Sequence, residues 1–334
     1  MSKEFSALVT GGLGMIGAHT ARALTDLGHK VVVTAHRRTE VPSFLAGRVT
    51  VETLDVTDRD AFLALAGRHD ISDMVHLAGS IPGEDPAGFF RTDMTGLLNA
   101  LDAARTWGVR RFAVASSLGV YTGRPEIRWH EELALPTADL PHPIIAFKKA
   151  VEPLTTHSLQ GSGVQPVVLR IGTIWGPLVD PESPFFHIPP YISAVLRGEQ
   201  PRPLHADDGG DCCYAPDAGR AIALLMTAQT LRHDTYNVSS GRPATNREFA
   251  DALQAIIPGL RLDLPPGRQV GPGRQVGPGR QAGPARQAGP GQQSPGDDPY
   301  LDITRLTRDT GFAPAFDVAK AVADYVAWRA GNPR

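Results

Sequence analysis

The sequence TGGLGMIG, residues 10–17, decides the predicted fold. It follows a short apolar run typical of a strand, FSALVT at 5–10, and it opens a stretch at 15–28 with apolar residues at helical spacing. A glycine-rich turn between a first strand and a first helix is where a dinucleotide binds in α/β proteins. A purely structural turn is the alternative, but the strand–helix alternation that continues through the first half of the chain favours dinucleotide binding.

The three spaced glycines have separate physical roles. Gly11 permits the tight turn, Gly14 lets the backbone approach a pyrophosphate, and Gly17 lets helix and strand pack closely. The first helical turn, with Met15 and Ile16, points free N–H groups and the positive end of the helix dipole at the phosphates. We therefore predict that these five residues bind the cofactor.

Strand-like and helical segments alternate beyond this turn, and the strands are rich in β-branched residues without polar alternation. This pattern indicates a parallel sheet covered on both faces, so we predict an α/β, Rossmann-type doubly wound parallel sheet with a smaller C-terminal substrate-covering region. The predicted strands are 30–35, 49–54, 73–79, 111–117, 164–172 and 235–240, and the predicted helices are 58–67, about 87–107, one starting near Phe147, about 188–198, 245–257 and 316–330.

The domain boundaries follow from where the alternation stops. Residues 1–175 form the predicted dinucleotide-binding region, to which strands and helices near 211–240 also belong. Residues 176–210, which are Pro-rich, and 241–334 form the predicted substrate-covering region. The helix at 245–257 is amphipathic, with Thr245 or Asn246 as its N-cap.

A true repeat interrupts the C-terminal part. Residues 266–291 read PGRQVG, PGRQVG, PGRQAG, PARQAG and then PG. Pro and Gly in the units forbid a helix and leave almost nothing to bury, so we predict a disordered insert over 265–298. A hexapeptide β-helix fits four short proline-containing units poorly, and a solvated linker is favoured over an arginine surface for an acidic partner.

Composition excludes several classes of function. The net charge of −2 over 334 residues favours neither nucleic acid nor an anionic membrane. The two cysteines, Cys212 and Cys213, are adjacent and lack the spacing of a zinc site, so we predict free thiols and no metal. The sequence contains no apolar run of membrane-spanning length and no signal-peptide pattern, so we expect a cytoplasmic protein.

The end of the second strand predicts which cofactor binds. An acidic residue there would contact the ribose 2′-OH of NAD, but no acid occurs from Lys30 to Thr39. The strand instead ends before His36, Arg37 and Arg38, and two guanidinium groups suit a 2′-phosphate. We predict NADP, with NAD less favoured. The alternative is that the arginines are only solvated.

These segments together resemble the extended short-chain dehydrogenase/reductase family, the NAD(P)-dependent epimerase/dehydratase group. The similarity covers nearly the whole chain except the repeat. TGGLGMIG is similar to the family's TGxxGxxG. The other matching segments are Asp55-Val56, His76-Leu77-Ala78-Gly79, SSLGVY (116–121), LRIGTIWGP (169–177), DCCYAPDAGRAIALL and TYNVSSGRPATNREFADAL.

The resemblance implies roles for specific residues. It places the active-site hydroxyl on Ser117. The further cofactor-binding residues that it implies are Asp55, Val56, Leu77, Ala78, Gly79, Lys148 and Ile171, and the implied substrate-binding residues are Ser80, Ser117, Tyr121, Thr173 and His187. It also implies a small-molecule substrate and allows a homodimer.

One expected group is missing. The family carries PYGxSKxxxE, in which the tyrosine supplies a proton and the lysine binds the nicotinamide ribose. Here PHPIIAFKKAVE (141–152) puts Lys148 on the lysine and Ile144 on the tyrosine, or, shifted by one residue, Lys149 and Ile145. Neither alignment gives a phenol, and a positioned general acid contributes about 10²- to 10⁴-fold in rate.

Three side chains could replace the tyrosine. They are His142, two residues before Ile144, then Tyr121 and His187, and for each a structural role is the commoner explanation. Thr173 also replaces the family's strand-end asparagine, and GDCCYAPD lacks the family arginine, which puts a nucleotide-sugar substrate in doubt.

Three functions remain open from the sequence. The first is an NAD(P)-dependent oxidoreductase or epimerase-like enzyme that acts on a small carbonyl or hydroxyl compound with an atypical acid/base group, for which Ser117, Lys148 and His142 are the catalytic candidates. The second is a non-redox lyase or isomerase on the same scaffold. The third is a non-catalytic NADP(H)-binding sensor or scaffold.

Overall fold

Seven parallel strands form the central sheet of the computed structural model, which describes residues 5–37, 39–138, 140–183, 185–268 and 298–332. The strands of these ranges are β1 (Ser6–Thr10), β2 (Lys30–Ala35), β3 (Thr50–Thr53), β4 (Asp73–His76), β5 (Arg111–Ser117), β6 (Arg128–Trp129), β7 (Gln165–Ile171), β8 (Ile174–Trp175), β9 (Gly209–Asp211), β10 (Cys213–Tyr214), β11 (Thr235–Val238), β12 (Pro243–Thr245) and β13 (Tyr300–Leu301). The sheet order is β3-β2-β1-β4-β5-β7-β11, and all six pairings are parallel. The predicted doubly wound fold is therefore confirmed.

The strand order reverses between β1 and β4. The chain first builds β2 and β3 on one side of β1 and then returns to build the other strands on its opposite side. In open α/β sheets, ligands bind beyond the carboxyl ends of the strands at this switch point. The helices are α1 (Met15–Asp26), α2 (Arg59–Leu63), α3 (Pro86–Trp107), α4 (Pro143–Leu159), α5 (Ile188–Leu196), α6 (Ala215–Thr227), α7 (Asn246–Ile256), α8 (Thr304–Thr310) and α9 (Val318–Gly331).

Each face of the sheet has its own apolar core. Val9 points toward α1 and α6, whereas its neighbour Leu8 points toward the cluster that also contains residues of α2, α3 and α4. Both side chains are fully buried. Helices α1 and α6 are in close contact at Gly219, which has no side chain. A Cβ at this position would overlap the backbone of His19. Burial on both faces explains why the strands read as continuous apolar runs.

A third apolar cluster lies in the segments assigned to the substrate-covering region. It joins α5, α7 and α9 around the buried ring of Trp175, which packs edge-on against Phe249 and Tyr325. Of the two predicted N-cap residues of α7, Thr245 and Asn246, the structure has Thr245. It forms a capping box with Glu248. That this region covers a substrate remains a prediction.

Two of the predicted boundaries that were wrong lie beside the candidate site. The helix expected near Phe147 begins at Pro143, because the ring of His142 accepts a hydrogen bond from the second helical N–H and caps the helix there. The strand expected over 73–79 ends at His76, because the N–H of Ala78 turns to the hydroxyl of Thr10. Within the described ranges, no helix is both long enough and apolar enough to cross a membrane.

Residues on the two sides of the undescribed segment, Arg268 and Asp298, are in contact. Of the insert predicted to be disordered over 265–298, residues 269–297 lie outside the described residues, whereas 265–268 and Asp298 are described. Arg268 Nη1 donates to Asp298 Oδ1 over 3.0 Å, and the two side chains are 12% and 1% exposed. The N–H of Gly267 also donates to Asp207. The first residues of the repeat and the residue that follows the undescribed segment are thus joined by their own contacts.

We expect the segment between these anchors to be dispensable for stability. Replacing residues 269–297 by a six-residue Gly/Ser linker retains Arg268 and Asp298, and six residues reach about 20 Å. Shortening the loop by about two doublings should change the free energy of unfolding by only about 1 kcal/mol, in the stabilising direction. Thermal unfolding followed by circular dichroism should show an equal or slightly higher Tm than the full chain. A Tm lower by more than about 5 °C would show that the segment packs on the fold.

Candidate cofactor and substrate site

The turn after β1 is shaped by three spaced glycines, and two of them have no room for a side chain. Gly11 has φ +65°, and a Cβ there would lie 2.9 Å from the backbone nitrogen of Ala78. A Cβ at Gly17 would overlap the carbonyl oxygen of Gly11. Gly14 is exposed and is the N-cap of α1. The turn therefore presses against the end of β4 and leaves a bare backbone surface at the switch point.

The first turn of α1 offers unpaired donors to a ligand. The N–H groups of Met15, Ile16 and Gly17 precede the first full helical turn, so they have no partner inside the helix. No side chain caps this end, and the first turn contains no acidic residue. Free N–H groups at the positive end of a helix dipole bind phosphate oxygens, so this turn fits a dinucleotide pyrophosphate.

Thr10 fixes the opposite wall of the turn. Its hydroxyl oxygen accepts the N–H groups of Leu77 and Ala78, each over 3.2 Å, and lies 2.9 Å from Nδ1 of His76. Burial, with a further contribution from nearby Lys148, lowers the pKa of His76 to about 3. The imidazole is therefore neutral, and it accepts the remaining hydroxyl proton of Thr10. This contact holds the predicted cofactor segment Leu77-Ala78-Gly79 against the glycine turn.

The ends of β2 and β3 form the second part of the site. His36 and Arg37 are exposed after β2, and His36 Nε2 lies 3.8 Å from Asp55 Oδ2 after β3. A hydrogen bond from the Thr57 N–H lowers the pKa of Asp55, and the charges of His36 and Arg37 act in the same direction. The adjacent Val56 packs under Gly96 of α3. Arg38 lies outside the described residues.

Lys148 belongs to α4, and its ammonium group lies at the carboxyl end of β5. Its Nζ donates to the carbonyl oxygen of Ala115 over 2.7 Å, two residues before Ser117. Burial lowers the pKa of Lys148 to about 8, partly offset by the carboxylate of Asp93 on α3. The neighbouring Lys149 points elsewhere, because its Nζ donates to the carbonyl oxygen of Pro136. Of the two alignments that the sequence left open, this geometry favours Lys148.

The start of α4 contains Ile144 and Ile145, the residues that the sequence resemblance aligns with the family's phenol. Ile144, which is half-buried, lies one turn before Lys148 on the same helical face. Ile145 is 3% exposed, and its Cγ1 comes within 3.0 Å of the position of a Cβ at Gly119. His142 Nδ1 accepts the Ile144 N–H over 3.2 Å, so the ring proton of neutral His142 is on Nε2.

Ser117 and Ser80 supply hydroxyl groups at the ends of β5 and β4. Ser117 Oγ accepts the N–H of Gly119 over 3.1 Å, which leaves its proton available to a ligand. Ser80 is exposed, and its hydroxyl and N–H both donate to Asp93. Ile171 is in register with Ser117 on β7, and Thr173 follows it, but both are at least nine-tenths buried.

Two predicted substrate residues are engaged elsewhere. Tyr121 is fully buried, and its hydroxyl accepts from Arg170 and donates to Asn237, while burial raises its pKa to about 12. Nε2 of His187 lies 2.7 Å from Asn246 Oδ1 in the substrate-covering region, and burial lowers its pKa. Neither side chain offers a free proton donor next to Lys148, so His142 is the remaining titratable group of the three.

Sequence reasoning missed several residues that shape the site. Thr10 was read only as the residue before the glycines, and Asp93 only as part of a helix. The buried pair Glu152–Arg170 was also missed, although Glu152 stands in the family pattern one turn after Lys148. A charged residue inside an otherwise apolar strand or helix face is the signal that could have identified this pair.

A comparison with protein families agrees with this geometry. Residues 7–239 match the model of the NAD dependent epimerase/dehydratase family. The chain belongs to this family. A dTDP-glucose 4,6-dehydratase of Streptomyces griseus is 29% identical to this family member over 337 residues, which cover 96% of the chain and 93% of the relative. The predicted resemblance is therefore confirmed, and the protein is an NAD(P)-dependent epimerase/dehydratase-like protein.

Solved structures show the same fold. The UDP-glucose 4-epimerase of Thermotoga maritima, solved with UDP-glucose, superimposes with a TM-score of 0.76 at 20% identity, covering 99% of this chain and 100% of the other. The UDP-glucuronic acid 4-epimerase of Bacillus cereus, solved in complex with NAD, gives a TM-score of 0.76 at 17% identity over 99% and 100% of the two chains. At these identities the likeness establishes the fold of this epimerase/dehydratase family member.

A matched pair of glycine substitutions should test the pyrophosphate cradle. Gly11→Ala forces a side chain against Ala78, whereas Gly108 has a similar φ of +62° but open space around a Cβ. Each change should cost about 1–2 kcal/mol of backbone strain. Gly11→Ala should abolish binding of NADPH and NADH in calorimetric titration, whereas Gly108→Ala should lower the Tm by a few degrees and leave nucleotide affinity unchanged. Equal nucleotide affinity in the two variants would contradict the cradle.

Proposed function

We propose that this protein is an NADP-dependent oxidoreductase or epimerase-like enzyme that acts on a small carbonyl or hydroxyl compound with an atypical proton donor. The observation that carries the proposal is the position of Lys148. Its ammonium group lies at the carboxyl end of β5, two strands from the glycine turn, while the isoleucine one helical turn earlier has no proton to offer. This arrangement supports a site that keeps the cofactor-binding half of a reductase and lacks the usual acid.

The cofactor would be held along the carboxyl ends of five strands. The N–H groups of the first turn of α1 would bind the pyrophosphate, and Asp55 with Val56 would hold the adenosine end. Lys148 uses one of its three protons on Ala115 and keeps two for ribose hydroxyls. When bound, a nicotinamide cofactor supplies or accepts the hydride. The free proton of Ser117 would bind a substrate oxygen.

His142 is our candidate for the missing acid. Reduction of a carbonyl leaves an oxyanion that needs a proton, and Nε2–H of His142 is a donor whose tautomer is fixed by the cap of α4. The relatives named above act on nucleotide-sugars, but Thr173 replaces the family's strand-end asparagine and is only 9% exposed. We therefore propose a smaller substrate than a nucleotide-sugar.

A non-catalytic NADP(H)-binding sensor is the second candidate. It is favoured by the two adjacent isoleucines at the start of α4, which make the region around Ser117 apolar. Both candidates need the same cofactor site, and they differ only in turnover. A cytoplasmic location and a homodimer also remain predictions from the sequence.

Cofactor selection should depend on the arginines after β2. Arg37 is exposed beside Asp55, and no acidic residue follows the strand before Glu40. We expect NADPH to bind more tightly than NADH in calorimetric titration, because guanidinium groups pair with the 2′-phosphate. Arg37→Ala/Arg38→Ala should remove this preference, with little change in NADH affinity. Equal or tighter binding of NADH by the native protein would overturn the preference. We would then propose NAD as the cofactor, as in the solved complex of the Bacillus cereus epimerase.

Substitutions of Lys148 and Ile144 should have separate effects, the first on cofactor binding and the second on catalysis. Lys148→Met should weaken NADPH binding by about 10- to 150-fold, which corresponds to the loss of about 1.5–3 kcal/mol for hydrogen bonds to a charged group. Lys149→Met is the matched control and should leave the affinity unchanged, because Lys149 contacts Pro136. Ile144→Tyr should leave NADPH binding nearly unchanged and raise the rate of NADPH oxidation with carbonyl substrates.

Two results would redirect this proposal. If Lys149→Met, rather than Lys148→Met, weakens NADPH binding, the site uses the alternative alignment. If the native protein reduces a ketone quickly and Ile144→Tyr slows it, another acid is in place, and His142→Ala should then lower the rate about 10²-fold or more. Tight NADPH binding without oxidation by any carbonyl compound, in both native protein and Ile144→Tyr, would favour the sensor.

A further inference from the structure

A row of buried polar residues crosses three neighbouring strands just below the candidate site. Ser116 on β5 is in register with Arg170 on β7, which is in register with Asn237 on β11. The three residues are 3%, 6% and 0% exposed. An arginine in the middle of a parallel sheet is expensive to bury, so the contacts that compensate its charge are informative.

Glu152 of α4 neutralises this arginine. Its two carboxylate oxygens accept from Arg170 Nε over 3.0 Å and Nη2 over 2.8 Å, which is the bidentate geometry of a strong charge-assisted pair. Ser116 Oγ donates to the same carboxylate over 2.5 Å. The remaining nitrogen, Nη1, donates to the hydroxyl of Tyr121 and to the carbonyl oxygen of Glu131. The pair thus joins α4, β5, β7 and the turn after β5.

Each member of this network lies beside a candidate site residue. Glu152 is one helical turn after Lys148, and Ser116 immediately precedes Ser117. Arg170 immediately precedes Ile171, which is in register with Ser117. A fork between a planar guanidinium and a carboxylate sets both distance and orientation. The Arg170–Glu152 pair therefore fixes the position and rotation of α4 relative to the end of β5, where Lys148 contacts Ala115.

We propose that Arg170 and Glu152 are positioning residues, which set the place of the Lys148 ammonium relative to Ser117 without touching cofactor or substrate. The inference rests on the proposed function of Lys148. The charged and titratable groups that face Lys148 are Asp93 on α3 and His76 on β4, and neither belongs to the Arg170 network.

The test separates positioning from stability. Arg170→Met alone leaves a buried uncompensated carboxylate and should lower the Tm strongly, so it cannot distinguish the two roles. Glu152→Met/Arg170→Met removes both charges with side chains of similar length, and such apolar replacements of buried pairs are often neutral for stability. The double variant should therefore melt much closer to the native Tm than Arg170→Met alone, with a remaining decrease because Ser116 Oγ and the carbonyl of Glu131 lose a partner.

A matched control lies at the other end of the same sheet. Arg110 donates to Asp73 over 3.1 Å, and the carboxylate of Asp73 is 1% exposed. This pair is at the amino ends of β4 and β5, away from the candidate site. Asp73→Met/Arg110→Met also removes an ion pair beside the sheet, although the Arg110 side chain is 44% exposed, and it should leave every measurement on Lys148 and on nucleotide binding unchanged.

NADPH titration at several pH values gives the first measurement. In the native protein, affinity should fall as the pH rises through about 8, because the ammonium form of Lys148 is lost there. In Glu152→Met/Arg170→Met, affinity below that pH should be at least about tenfold weaker, and the fall should move to higher pH as Lys148 gains access to water and its pKa returns toward 10.5. A purely structural role for the pair would not move this midpoint.

Competitive labelling with acetic anhydride gives a second measurement without cofactor. The extent of acetylation of Lys148, read by peptide mass spectrometry from about pH 6 to about pH 11, reports its pKa directly. We expect an upward shift in the double variant and none in the control. If the native protein binds no NADPH or NADH, the proposed function fails, and the labelling alone decides the inference. A Tm well above that of Arg170→Met, an unchanged labelling profile and an unchanged pH profile of binding in the double variant would overturn the positioning role.

Discussion

The close approach of the turn after β1 to the end of β4 is the constraint on which the rest of the site depends. Gly11 and Ala78 meet backbone to backbone, so one strand cannot shift relative to the other without a collision. The hydroxyl of Thr10 accepts the N–H groups of Leu77 and Ala78 at this contact, and the Leu77 N–H is shared with the backbone carbonyl of Thr10. The same contact leaves the N-terminus of α1 bare and facing the switch point. Shape and hydrogen bonding therefore create the candidate nucleotide surface together.

The electrostatics of the site are organised around few charges. Lys148 is a half-buried cation whose ammonium reaches the end of β5, and nearby His76 stays neutral, so this imidazole adds no positive charge beside the ammonium. Asp93 lies on the α3 side and supports the charged form of Lys148. The start of α4 is apolar instead of phenolic. A site with a well-placed cation and few proton donors is suited to holding a nucleotide, and its chemistry depends on what the substrate or His142 can supply.

The sequence predicted the fold well because local signals agreed with each other. The glycine turn, the strand lengths and the apolar runs all indicate a parallel sheet, and the sheet and most of its boundaries are as expected. Prediction was weaker where a side chain acts at a distance. Nothing near Tyr121 in sequence shows that its hydroxyl binds Arg170 and Asn237, residues that join it only when β5, β7 and β11 pair. His142 was considered as a reagent, but its helix cap follows from the fold of α4.

The ion pair between Arg268 and Asp298 has a consequence for how this gene can vary. Repeated DNA of fixed unit length gains and loses copies easily during replication. Here the two flanks are joined by their own contacts, so we expect the number of PGRQ-type units between them to vary without changing the packing of the described residues, at the cost of a slowly growing closure entropy. Related chains could therefore differ widely in total length while keeping the same sheet, the same glycine turn and the same position of Lys148.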